Sequence, residues 1–331
     1  MKILIYGVRD YEEEVMKECL KAANLNADMI HEDLTEETVK KAEGYDGISI
    51  QQVKEVKDEK TFEQLKEYGV KVISSRTAGV DMINLEAAAK NGIIVTNVPR
   101  YSPNAIAELA VSHSLNLLRK CDKVDGRMKK NDFRWKADLL GKEIRSLKVG
   151  IIGTGKIGLT SAKLFKGFGA EVIGFDVYRS PEAEEILTYC ETIEELLKEA
   201  DLVSIHTPSL ESTRHMINKD RLKLMKKSAL IINTSRGDVI NTQDLLEALQ
   251  NGEIAGAGLD TLENESVFIN KTVTTEMIEG SAIDLLQKMD NVIVTPHVGF
   301  FTETAIENIV SKALENVQDV IRNGHSECRV N

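Results

Sequence analysis

The chain has 331 residues, 42% apolar and 29% charged, the balance of a globular protein long enough for two domains of ordinary size. Its formal charge of −11 argues against a nucleic-acid partner, which needs a concentrated basic face. No run of about 18 apolar residues occurs, so no membrane span is expected.

The opening MKILIYGVRDYEEE holds one lysine and a short apolar run that turns acidic. That pattern reads as a first β-strand and lacks the cleavage region of a signal peptide, so a cytoplasmic location is expected. Cys19, Cys121, Cys190 and Cys328 are widely spaced without a CxxC pair, which fits reduced thiols. The six histidines show no HxxxH and no neighbouring cysteines, so no metal is expected.

Over the first 100 residues short apolar runs alternate with polar helical stretches: KILIYG, a helix through Lys21, GISIQ, a helix near 61–68, KVISSR, a helix near 84–91, and IIVTNV. This βα alternation predicts a small parallel α/β unit. Next comes SPNAIAELAVSHSLNLLRK, residues 102–120, with N-cap chemistry, a proline at the first helical position and apolar residues at helical spacing. Its Leu109, Val111, Leu115 and Leu118 are expected to offer apolar surface beyond one domain's needs.

Residues 149–176, VGIIGTGKIGLTSAKLFKGFGAEVIGFD, run as an apolar strand, a glycine-rich turn, an amphipathic helix, a second strand and a terminal acid. Gly153 permits a tight turn off the strand, Gly155 lets backbone N–H groups approach a pyrophosphate, and Gly158 lets the helix pack closely on the sheet. The diphosphate is then expected at the helix start near Lys156 and Ile157, where unpaired N–H groups and the macrodipole favour an anion. Asp176 follows Gly153 by 23 residues, near the usual spacing of about 20, and is placed to accept bonds from the adenosine ribose hydroxyls. A carboxylate there repels a 2′-phosphate, so the expected cofactor is NAD rather than NADP.

The second unit continues through LVSIH, ALIINT, a helix at 242–250, GAGLD and VIVTP, giving roughly six strands in one sheet. After Pro296 a long amphipathic helix, 302–323, leaves no further strand for that sheet, so the chain is expected to return to its first unit. The expected fold class is therefore α/β: two Rossmann-like parallel-sheet domains with a cleft between them. A discontinuous, flavodoxin-like substrate-binding domain comprises 1–100 and 299–331, and an NAD-binding Rossmann domain comprises 101–298.

Residues just after strands are the ones to search for chemistry. Arg236 follows ALIINTS, Glu265 lies shortly after GAGLD, and His297 follows VIVTP. Together they match what hydride transfer to a 2-oxo acid needs. Arg236 can hold a carboxylate bidentately, His297 can give a proton to the carbonyl oxygen, and Glu265 can orient the imidazole and favour its charged form. Glu263 is the rival to Glu265.

Seven segments then resemble the NAD-dependent D-2-hydroxyacid dehydrogenases in order: RTAGVDMI (76–83), NVPRYSPNAIAELA (97–110), VGIIGTGKIG (149–158), HTP (206–208), NTSRGDVI (233–240), GLDTLENE (258–265) and TPHVGFFT (295–302). The resemblance implies Arg236, Glu265 and His297 as the catalytic trio. It implies that Ala78, Gly79 and Val80 present N–H groups to the substrate carboxylate and that the Tyr101 hydroxyl helps to hold it. Thr207, Pro208, Thr234, Ser235 and Asp260 are implied to line NAD, with Asp260 on the carboxamide side. It also implies a homodimer, the 102–120 helix packing against its twin.

The long stretch between Glu265 and His297 resembles the D-lactate and D-2-hydroxyisocaproate branch, so a monocarboxylic 2-oxo acid is the expected small-molecule partner. Lactate-preferring relatives tend to carry an aromatic residue in the loop after the second of these apolar runs, where this chain has Gln51 and Gln52. A roomier pocket is expected, suited to 2-oxoisocaproate or phenylpyruvate, with Trp135 or Phe300 as alternative fillers.

Overall fold

The computed structural model describes residues 1–52 and 54–331 and divides into two units, Met1–Ser102 with Phe301–Asn331, and Pro103–Phe300. The first carries a parallel sheet of β1 (Lys2–Ile5), β2 (Asn26–Met29), β3 (Gly47–Ile50), β4 (Val72–Ser75) and β5 (Ile94–Thr96), in the order β2-β1-β3-β4-β5. β3 and β4 are buried on both faces, as strands covered by helices on either side must be. β2, NADM, alternates exposed and half-exposed residues at the sheet edge, and its polar sequence explains why it was not anticipated.

Helix Glu303–Asn323 starts on a Thr302 cap that accepts from the Ala305 N–H and stops at Gly324, whose φ of 72° ends it in the left-handed region. It lies on β3, β4 and β5, and Val317 and Ile321 press so close that a Cβ on Gly47 would come within 3.1 Å of each. The chain end thus completes the core of the first unit.

Beneath the strand ends of this unit lies a buried ion pair. Arg76, directly after β4, donates to both Glu12 carboxylate oxygens at 3.2 and 2.8 Å, to Ser49 Oγ and to the Tyr6 and Gly7 carbonyls. Both side chains are sealed from solvent. With every guanidinium nitrogen bonded, the pair fixes the point from which residues 77–80 depart.

The second unit carries a seven-stranded parallel sheet: β6 (Lys148–Ile152), β7 (Glu171–Phe175), β8 (Thr188–Tyr189), β9 (Leu202–Ile205), β10 (Leu230–Asn233), β11 (Gly256–Leu259) and β12 (Val292–Val294), ordered β12-β11-β10-β9-β6-β7-β8. The count is seven rather than six because β8 is a two-residue edge strand with no apolar run to announce it. The strand order reverses between β6 and its neighbours β7 and β9, the switch point where open α/β sheets take ligands.

Helix Pro103–Arg119 packs on helix Lys156–Gly167 and on β10 and β11. Val111 and Leu118 are buried in the unit's own core, so they are not surplus surface as expected; Leu109 and Leu115 stay partly exposed. Exposed apolar side chains lie just beyond the helix, Met128, Phe133, Trp135 and Leu140 among them. His113 faces β11 so tightly that a Cβ on Gly258 would sit 2.8 Å from its own, and burial lowers its pKa.

Candidate active site

The glycine-rich turn joins β6 to helix Lys156–Gly167. Gly153 sits at φ +88°, and a Cβ there would lie 2.7 Å from the His206 carbonyl oxygen. A Cβ on Gly158 would lie 1.8 Å from the Gly153 carbonyl oxygen. Gly155, the N-cap, has open space in front of it and offers no side chain to the first helical N–H groups. Uncapped N–H groups behind an open glycine, at Lys156 and Ile157, fit a pyrophosphate.

Asp176 stands one residue past β7, beside that turn. Its Oδ2 accepts from the Thr154 backbone at 2.6 Å and from the Thr154 hydroxyl, and its Oδ1 from the Tyr178 N–H. After β9 and β10 the hydroxyls of Thr207 and Thr234 are buried without a partner among the described residues. A ligand that donates or accepts there removes a cost of about 1–3 kcal/mol per orphan. Pro208 is exposed, and Ser235 donates its N–H and hydroxyl to Asn233 Oδ1. This set fits a dinucleotide.

His297 Nδ1 lies 2.6 Å from Glu265 Oε1, and Glu265 Oε2 accepts from the Leu262 N–H at 3.0 Å. The glutamate therefore grips the ring from a fixed base. The Nε2 of His297 has no partner among the described residues. His297 itself sits at φ +57°, an uncommon state for a side chain of its size, maintained by the residues around it.

Asp260 supplies that maintenance. Nearly sealed from solvent, it accepts from Thr295 Oγ1 at 2.5 Å, Val298 N at 2.9 Å and Gly299 N at 2.8 Å, while its carbonyl accepts from the His297 N–H. Both carboxylate oxygens are bound to the loop that carries the histidine.

Arg236 leaves β10 partly buried, its carbonyl held by Asn233 Nδ2 and its Nη1 donating to the Ser235 carbonyl. The next residue, Gly237, lies against the Leu262 carbonyl and the Glu263 N–H, where a Cβ would come within 2.6 Å of three backbone atoms. Arg236 and Glu265 are thus tied to one backbone contact. Glu263, the rival, pairs instead with His215 at 2.6 Å and accepts from the Thr242 N–H at 2.7 Å. Burial works to raise its pKa, yet those two partners hold it below the ordinary carboxylate value.

In the first unit, the carbonyls of Ala78, Gly79 and Val80 accept from Asn97 Nδ2, Thr77 Oγ1 and the Ile83 N–H. No acceptor among the described residues meets the N–H groups of 78–80, which leaves a cradle suited to an anion. Tyr101 is anchored through its carbonyl by Asn308. Gln52, expected beside the substrate, has its amide taken up instead, bracketing the Leu34 backbone and the Lys54 carbonyl. Gln51 accepts instead from the Tyr11 hydroxyl, and the Tyr11 ring meets Phe301 edge to face at 4.7 Å. Phe300 is partly buried at the end of the second unit. Tyr11 escaped the sequence reading because only folding brings it beside Gln51.

A family model described as the NAD binding domain of D-isomer specific 2-hydroxyacid dehydrogenase matches residues 111–299. Over its whole length the chain is 55% identical to a D-2-hydroxyacid dehydrogenase (NAD(+)) of Clostridioides difficile, itself covered in full. It is 42% identical to a D-lactate dehydrogenase of Streptococcus pyogenes serotype M1, again with both chains covered in full. The NAD-complexed crystal structure of a D-isomer specific 2-hydroxyacid dehydrogenase from Lactobacillus delbrueckii ssp. bulgaricus superposes with a TM-score of 0.91, at 42% identity and complete coverage of both chains. On motif, sheet order and full-length similarity together, the chain belongs to the D-isomer specific 2-hydroxyacid dehydrogenases, NAD-dependent oxidoreductases.

Proposed function

We propose that the protein reduces a 2-oxo acid to the (R)-2-hydroxy acid, with Arg236, Glu265 and His297 as its working side chains. The observation that carries this reading is the 2.6 Å Glu265–His297 contact, which fixes the ring through Nδ1 and leaves Nε2 to face a substrate. Bound NADH supplies the hydride. His297 Nε2 gives the carbonyl oxygen its proton and takes it back in the reverse direction. Arg236 pairs with the substrate carboxylate through its planar fork, and the N–H groups of Ala78, Gly79 and Val80 bind that carboxylate in the first unit, which serves as the substrate-binding domain. Gly153, Gly155, Lys156, Ile157, Gly158, Asp176, Thr207, Pro208, Thr234 and Ser235 hold the dinucleotide, and Asp260 keeps the His297 loop beside it.

The preferred acid carries a side chain larger than methyl. Support comes from the Tyr11, Gln51 and Phe301 group, an amide and two partly exposed rings able to line a roomy pocket. The relative at 55% identity is named for D-2-hydroxy acids in general. Rates of NADH oxidation across pyruvate, 2-oxoisocaproate and phenylpyruvate test this: kcat/KM is expected to be highest for one of the larger two. A pyruvate maximum refutes the preference, and inactivity with all three refutes the reaction.

The working form is a homodimer in the cytoplasm. Phe133, Trp135 and Leu140 stand exposed on one segment of the NAD-binding unit, and a cavity of about 370 Å³ with a mixed lining that includes Leu117, Leu140, Ile293, Lys120 and Asp122 adjoins it. The four cysteines are free thiols. No helix among the described residues is long and apolar enough to cross a membrane. Light scattering at one-chain mass would exclude the dimer.

A further inference from the structure

Two histidine–glutamate contacts of the same length, 2.6 Å, sit on one short segment: Glu265 with His297, and Glu263 with His215. Between the two glutamates Asn264 adopts φ +58°, a left-handed state that asparagine tolerates. The turn sends the two carboxylates to different partners. Only one of these pairs enters the reaction as described above.

The second pair lies where three segments join. His215 belongs to the stretch after β9, and its N–H donates to the Asp238 carbonyl; Ile217 and Ile240 form a parallel bridge just beyond. Ser209 donates to the Asp238 carboxylate at 2.6 Å. Glu263 joins that stretch to the start of helix Thr242–Gln250 by accepting from both His215 Nε2 and the Thr242 N–H. Directly behind it, Gly237 lies against Leu262 and Glu263. Leu262 in turn donates its N–H to Glu265.

We propose that His215 and Glu263 are positioning residues: a brace that holds the Arg236 segment and the Glu265 segment in register. The inference rests on the catalytic reading of Arg236, Glu265 and His297. Removing the brace lets the 262–263 backbone drift from Gly237, so the guanidinium and the imidazole lose their shared reference. Displacement of about 1 Å costs up to 10²-fold in rate. The pyrophosphate and ribose contacts depend instead on the β6 turn and Asp176, which the brace does not touch.

The test compares Glu263→Ala, Glu263→Gln, His215→Asn and the double variant Glu263→Ala/His215→Asn, with His297→Gln as reference. Expected for Glu263→Ala are a kcat lower by about tenfold to a hundredfold, a raised KM for the 2-oxo acid, and an NADH dissociation constant within about twofold of the parent. Glu263→Gln, which keeps an acceptor for Thr242, recovers part of the loss. The double variant loses no more than the worse single one, because both act through one contact. His215→Asn supplies the same readouts should Glu263→Ala fail to fold. Unchanged kcat and KM in His215→Asn, or additive losses in the double variant, overturn the brace while a crippled His297→Gln leaves the catalytic reading standing. A near-parental rate in His297→Gln overturns that reading instead.

Discussion

Asp260→Asn separates two roles that one carboxylate can play. Three donors converge on the side chain: Thr295 Oγ1, Val298 N and Gly299 N. Asparagine keeps one acceptor, Oδ1, which can serve Thr295 and Val298. Its amide group then points two N–H bonds at the Gly299 N–H, leaving a buried donor unpaired. Losing one charge-assisted bond costs about 1.5–3 kcal/mol, and the orphaned N–H adds about 1–3 kcal/mol. If about 2–4 kcal/mol of that sum displaces His297 in the transition state, kcat falls about 30- to 1000-fold at 1.36 kcal/mol per decade. Steady-state kinetics with NADH and a 2-oxo acid, beside NADH binding by fluorescence, give the readout. A loop clamp lowers kcat and leaves NADH affinity near the parent value. The opposite pattern, parental kcat with weakened NADH binding, assigns the carboxylate to the cofactor and refutes the clamp.

His297→Gln removes the proton donor and is expected to lower kcat by about 10²- to 10⁴-fold, measured at saturating 2-oxo acid; a rate close to parental reassigns the acid. Gly158→Ala places a methyl 1.8 Å from the Gly153 carbonyl oxygen, so NADH binding should weaken at least about tenfold as the turn opens, and calorimetry showing parental affinity would contradict the packing. His206 is held neutral, its pKa pushed down to about 3 by burial, with Nδ1 unpartnered among the described residues and Nε2 against Ser204. The unfolded chain takes up that proton near pH 6.5 and the native one does not. Its stability is therefore full above pH 6.5 and declines by about 1.4 kcal/mol for each unit of acidification towards pH 3. Replacing His206 with Gln should flatten the dependence of unfolding free energy on pH between 6.5 and 5, and equal slopes in the two proteins would show that the imidazole does not govern it.

Much of the architecture was legible because the strands that build it are apolar on both faces. β6, β9 and β10 read as largely hydrophobic runs, and glycines follow β6 at positions where a Cβ collides with backbone. The edges were not legible: β2 is NADM and β8 two residues long, so neither carries the pattern that burial imposes. Site residues anchored to strand ends, such as Arg236 and His297, could be found by following each strand to its last residue. Gln52 could not, since its amide is claimed by Leu34, eighteen residues away. Choosing between Glu263 and Glu265 likewise required their partners, because two glutamates two residues apart look alike until Asn264 turns them apart.

The segment from Asp260 to Glu265 shows why side-chain length matters as much as charge. Asp260 must bind two consecutive backbone N–H groups, and a short stem keeps its carboxylate against the main chain of 298–299. Glu265 must reach an imidazole while its second oxygen returns to Leu262, three residues back, which takes the extra methylene. Glu263 spans to His215 on one side and Thr242 on the other, a bridge between segments that an aspartate is one carbon too short to close. Exchanging Asp and Glu at any of the three preserves charge and loses geometry. Specificity for one arrangement of the histidine loop therefore resides in the order Asp, Glu, Glu and the left-handed asparagine among them, rather than in the acidity of the segment.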